Sequence, residues 1–169
     1  MTVTPSGRRV VRSGNDLLVL TRTFRAPIED VWAAVTVPVR LARWFGTWSG
    51  DPKSGTVQVR MQAEGDVPEQ SWTILECSPK TRLSVRAGES SETWDFAVEL
   101  SKQAGTTILE FTQAIDDPSG WESIGPGWEY YLDRLVVAES GGDPSTVDFE
   151  RDYYPALGPY YANLTAAPK

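Results

Sequence analysis

The sequence predicts an α+β domain. It reads as a first strand, two short helices, a run of antiparallel strands (about six or seven in all) and a long amphipathic helix near the carboxy terminus. Three observations carry this. A strand-like run stops at Ala26-Pro27 and gives way to helical spacing. Period-two alternation then dominates the middle of the chain, and past Pro118 the apolar period lengthens to that of a helix.

Leu17 to Arg25 read as the first strand. Ala26 precedes a proline and so disfavours α geometry, whereas Pro27 suits the first helical position. Glu29 and Asp30 put negative charge in the first turn, where it complements the helix dipole. Ile28, Val31, Trp32 and Val35 share the spacing of one buried stripe. Pro38 ends that helix and opens a second, with Leu41, Trp44 and Phe45 on its apolar edge and Gly46 as its stop.

Val57, Val59 and Met61 alternate with Gln58, Arg60 and Gln62, as in a half-buried antiparallel strand that ends near Gly65-Asp66-Val67-Pro68. Ser71 to Cys77 and Arg82 to Ala87 follow, parted by Ser78-Pro79-Lys80. Trp94, Phe96, Val98 and Leu100 mark the clearest strand. After Gln103-Ala104-Gly105, Leu109 and Phe111 share a face of the last one. Trp128, Tyr131, Leu132, Leu135 and Val136 then define the long helix, which Gly125-Pro126-Gly127 starts or kinks and Gly141-Gly142 ends. Leu157, Tyr160, Tyr161 and Leu164 are again helically spaced behind Pro155. The expected organisation is a flexible arm over residues 1–15, one domain over 16–142, and an extension over 143–169 docked on it.

A chain of 169 residues can build a core without disulfides. Its net charge of −7 argues against nucleic acid as a partner. No run approaches the ~20 apolar residues of a membrane span. The single cysteine, Cys77, excludes an intrachain disulfide and fits a reducing cytoplasm. The chain has no histidine, which removes the commonest general base and transition-metal ligand. Asp116-Asp117-Pro118-Ser119-Gly120 lacks the ligand spacing of a calcium loop and reads as a turn. No metal or cofactor is therefore expected.

Ala26-Pro27-Ile28-Glu29-Asp30-Val31-Trp32 and Leu41-Ala42-Arg43-Trp44-Phe45-Gly46 carry a family resemblance. So do Ile74 to Leu83, Gly105-Thr106-Thr107 and Gly127-Trp128-Glu129-Tyr130-Tyr131-Leu132-Asp133-Arg134-Leu135. Over residues 17–140 the chain resembles the START-like SRPBCC superfamily. Within it, the chain is similar to the single-domain bacterial homologues of the activator of the ninety-kilodalton heat-shock protein ATPase. The resemblance implies a helix-grip fold, a curved sheet wrapped around the long helix with a pocket between them. It does not by itself imply the activator's function, since a chain of this length has no room for that protein's separate chaperone-contacting domain.

In such a fold Trp44, Phe45, Met61, Trp72, Trp94, Trp128 and Tyr131 turn toward the pocket, as ligand-binding candidates or as core. Seven tryptophans are many for this length, and their N–H groups, with tyrosine O–H, would fix a bound molecule. The apolar strand faces carry two ionisable candidates for catalysis. Arg22 shares a face with Leu20 and Phe24, and Glu76 shares one with Trp72 and Ile74. In a regular strand Cys77 points away from Trp72. The reading is a non-catalytic cytoplasmic module that encloses a small apolar or aromatic molecule. The alternatives are a polyketide cyclase-like enzyme using Arg22 or Glu76, or a chaperone-accessory interaction domain.

Overall fold

The computed structural model describes residues 3–62, 68–89, 92–114 and 120–166. The expected turns at Gly65-Asp66-Val67 and at Asp116 to Ser119 lie outside these residues. Strand β1 (Arg8–Arg12) is followed by β2 (Asn15–Phe24), helices α1 (Ile28–Thr36) and α2 (Pro38–Leu41), then β3 (Gly46–Ser49) and β4 (Thr56–Met61). Next come β5 (Gln70–Ser78), β6 (Arg82–Glu89), β7 (Glu92–Gln103), β8 (Thr106–Ala114) and the long helix α3 (Trp121–Glu139). Two further helices, α4 (Phe149–Asp152) and α5 (Gly158–Ala166), follow it.

The eight strands form one antiparallel sheet in the order β1-β2-β8-β7-β6-β5-β4-β3. From β3 to β8 the chain meanders between neighbours; β2 then pairs with β8 and carries β1 on the far edge. α3 lies against the sheet through Leu132 and Leu135, which are buried with Leu18, Leu20, Leu109 and Phe111.

The strand count exceeds six or seven for two reasons. Residues 8–12, expected in a flexible arm, form β1 instead. Ser13 and Gly14 both take positive φ (52° and 80°), which folds Arg12 back onto Asn15 as a two-residue hairpin. The Arg9–Asp16 ion pair (2.8 Å) ties the two strands together. Gly46, expected only as a helix stop, begins β3, whose four residues are too few to show alternation.

α3 starts ahead of Gly125-Pro126-Gly127 and continues through Pro126. Gly125 has a packing role there. A Cβ at that position would sit 2.3 Å from Cδ1 of Tyr161, so the glycine makes room for the α5 ring in the surface of α3. Gly125→Ala is expected to cost about 1–3 kcal/mol through overpacking, measured by urea titration. An unchanged midpoint would show that the ring has somewhere else to go.

Candidate functional site

Between the sheet and α1, α2 and α3 lies a cavity of about 210 Å³. Its wall is built from elements that are far apart in sequence. Val35 and Leu41 come from the paired short helices, Trp44 and Phe45 from the turn behind them, and Trp128 and Leu132 from α3. The concave strand faces supply Val57, Val59, Trp72, Ile74, Val85, Phe96, Val98 and Phe111. Alternation on each strand puts these side chains inside, and sheet curvature brings them together.

The rings form a continuous lining. Phe45 stacks on Trp128 at 6.1 Å with an interplanar angle of 12°, and meets Trp72 edge-on at 5.9 Å. Phe96 lies 5.7 Å from Trp72 and 5.0 Å from Trp128, while Phe111 lies 4.2 Å from Trp128. Offset and edge-on contacts of this kind contribute stability beyond area burial.

Among the described residues the wall holds few polar groups, and its indole and hydroxyl donors are engaged elsewhere. Nε1–H of Trp44 donates to the Ala34 carbonyl (2.9 Å), and that of Trp48 to the Thr36 carbonyl (2.7 Å). Nε1–H of Trp72 donates to Gln70 Oε1 (3.3 Å), and that of Trp128 to Gln113 Oε1 (2.6 Å). The Thr36 hydroxyl donates to the Trp32 carbonyl (2.7 Å). The expectation that indole N–H groups fix a ligand is thus overturned: each already has an acceptor within the protein. Among the described residues no carboxylate, lysine, arginine or tyrosine lies on the wall. None of them gathers three or more metal-capable side chains either.

Of the expected site residues, Trp44, Phe45, Trp72 and Trp128 line the cavity. Tyr131 does not; it is buried behind Phe45, 4.9 Å away ring to ring. Met61 pairs with Gly46 at the β3 edge and packs on the core away from the wall. Trp94 shares a face with Phe96 but lies near the β6–β7 turn, where it is 42% exposed and off the wall. Trp48, Phe96 and Phe111 were not among the expected residues. The same-face alternation of Phe96 with Val98, and of Phe111 with Leu109, is the signal that could have included two of them.

Neither ionisable candidate reaches the cavity. In the β5–β6 ladder Ile74 pairs with Val85 and Glu76 with Ser84, so Leu75 is an extra, bulged residue. One extra residue inverts every later side chain of the strand. Glu76 therefore turns outward to Arg82 (3.2 Å), and Cys77 joins Trp72 and Ile74 on the wall. Its free thiol is exposed, which places it at the rim together with exposed Pro52.

Arg22 faces inward, as its alternation implies, but onto α3. It bonds Glu129 (2.8 Å) and Asp133 (3.0 Å). Burial alone would lower the pKa of this guanidinium, but the field of Asp133 and the bonds to Glu129 outweigh that and hold it raised. Glu129 is fully buried and accepts four bonds: from Arg22, the Ser6 hydroxyl and N–H (2.6 Å each), and the Tyr161 hydroxyl (2.8 Å). Tyr153 donates to Asp133 (2.7 Å). Burial pushes both tyrosine hydroxyls far above their ordinary pKa, with the neighbouring carboxylates adding to it, so both stay protonated donors. The cluster joins the amino-terminal segment, β2, α3 and the carboxy-terminal segment.

Residues 25–138 match the model of the family described as Activator of Hsp90 ATPase homolog 1-like protein. CalU16 from Micromonospora echinospora is similar in structure, with a TM-score of 0.74 and 25% identity over 99% of this chain and 100% of that one. DynU16, from the dynemicin biosynthetic locus, has a TM-score of 0.66 and 25% identity, over 76% of this chain and 49% of that one. EF2215 from Enterococcus faecalis shares the fold at a TM-score of 0.70 and 19% identity, over 96% and 92% of the two chains. The comparison with curated proteins finds no match.

Proposed function

Because the chain belongs to the family of Activator of Hsp90 ATPase homolog 1-like proteins and has the helix-grip fold of the START-like superfamily, we propose that it is a binding module enclosing a small apolar or aromatic molecule between sheet and α3. One observation carries the reading: a cavity of about 210 Å³ whose wall offers rings and aliphatic groups but almost nothing polar. Empty space costs ~24 cal/mol per Å³, so a dry cavity of this size costs about 5 kcal/mol. Against a total stability of ~5–15 kcal/mol such a void does not stay dry; water entering from the rim finds few polar partners on the wall, so an apolar occupant is favoured. The free, exposed thiol fits a reducing cytoplasm as its location.

Naphthalene added to the protein is expected to quench tryptophan fluorescence saturably, since four indoles line the cavity. In Val85→Trp a further ring occupies the space. Quenching should then fall at least tenfold in affinity while the circular dichroism spectrum is kept. Equal affinity in the two proteins would mean that naphthalene binds elsewhere.

The cyclase-like alternative relied on Arg22 and Glu76, and both are bonded away from the cavity. A chaperone-accessory role is the second reading, supported by the family description alone. Co-purification with the host's ninety-kilodalton chaperone that survives Val85→Trp would favour it over the container reading.

A further inference from the structure

The cavity has a definite size and, among the described residues, almost no free hydrogen-bonding side chain inside its rim, and together these restrict what can fill it. About 210 Å³ exceeds the ~150 Å³ apolar cavity that holds one benzene, and falls short of the ~300 Å³ at which drug-sized pockets begin. All four wall indoles and the Thr36 hydroxyl donate to acceptors inside the protein. The remaining polar side chain on the wall among the described residues, Cys77, is exposed at the rim. A hydroxyl or amine carried past the rim gives up its bonds to water and finds no free indole or hydroxyl donor in exchange. Resting on the container reading, we infer that the cavity takes a hydrocarbon-like group of about two fused rings and rejects ligands that must bury a polar substituent. Polar parts of the natural ligand stay at the rim beside Cys77 and Pro52. The selectivity comes from the bond between Trp128 and Gln113 and its counterparts, which engage the indole and hydroxyl donors that the described wall residues would otherwise offer inside the rim.

Three probes of one ring skeleton test this by calorimetric or fluorescence titration of the full chain. Naphthalene has no polar group, 2-naphthol can keep its single hydroxyl at the rim, and 2,6-dihydroxynaphthalene must bury one hydroxyl whichever end enters first. Naphthalene and 2-naphthol are expected to bind within threefold of each other, and the diol at least tenfold more weakly. Replacing Trp128 by phenylalanine leaves Gln113 Oε1 without its donor, next to vacated space. In Trp128→Phe the penalty on the diol should shrink at least threefold. A diol that binds the wild-type protein as tightly as naphthalene, or a penalty unchanged in Trp128→Phe, overturns the inference. If none of the three probes binds, the container reading itself fails, an outcome distinct from loss of selectivity.

Discussion

Glu129→Ala is expected to destabilise the fold by about 3–5 kcal/mol, the usual cost of removing one partner from a buried ion pair. For a chain of this size that lowers the thermal midpoint by roughly 10 °C. The carboxylate has no exposure and four donors converge on it from three parts of the chain. Without it Arg22 keeps Asp133, but the Ser6 N–H and the Tyr161 hydroxyl are left facing an apolar gap. Glu129→Gln preserves volume yet turns one acceptor into a donor among donors, so it should recover only part of the loss. Calorimetry of both variants checks the claim. A midpoint within 2 °C of the wild-type value in Glu129→Ala (roughly 1 kcal/mol or less) would show that the carboxylate does not hold these segments together.

Tyr161→Ala is the second large effect, again about 3–5 kcal/mol for a ring with no exposure. The ring is pressed between two glycines. A Cβ at Gly7 would lie 2.3 Å from its hydroxyl, and one at Gly125 2.3 Å from Cδ1. The hydroxyl also accepts from the Gly7 N–H (3.1 Å) while donating to Glu129. Tyr161→Phe keeps the ring and removes only these bonds, which should cost about 1–3 kcal/mol. Because Tyr161 and Glu129 share a bond, the double variant Glu129→Ala/Tyr161→Phe should lose less than the sum of the single losses. Strict additivity would place the two groups in separate networks.

The fold was legible wherever a periodic pattern was long enough. Trp94 to Leu100 and Trp128 to Val136 announce strand and helix by spacing alone, and Pro27 and Pro38 mark the two short helices. Gly46–Ser49 and Arg8–Arg12 escaped because short edge strands carry too few residues to alternate visibly. The site was half legible. Trp44, Phe45, Trp72 and Trp128 were expected at the cavity and line it, because alternation and helical phase decide which way they face. Trp94 has the right phase, but its height along the sheet, which phase does not encode, leaves it exposed. Cys77 and Glu76 were interchanged because the bulge at Leu75 leaves no mark in composition. Arg22 showed its face but not its partners. Glu129 and Asp133 meet it across more than a hundred residues of chain, a pairing that only the packing of α3 on β2 reveals.

A crystal structure of the protein soaked with naphthalene tests the container reading most directly. The expected result is bicyclic density inside the cavity, in ring contact with Phe45, Trp72 and Trp128. Density confined to the outer surface, beside an unaltered and empty cavity, would contradict it.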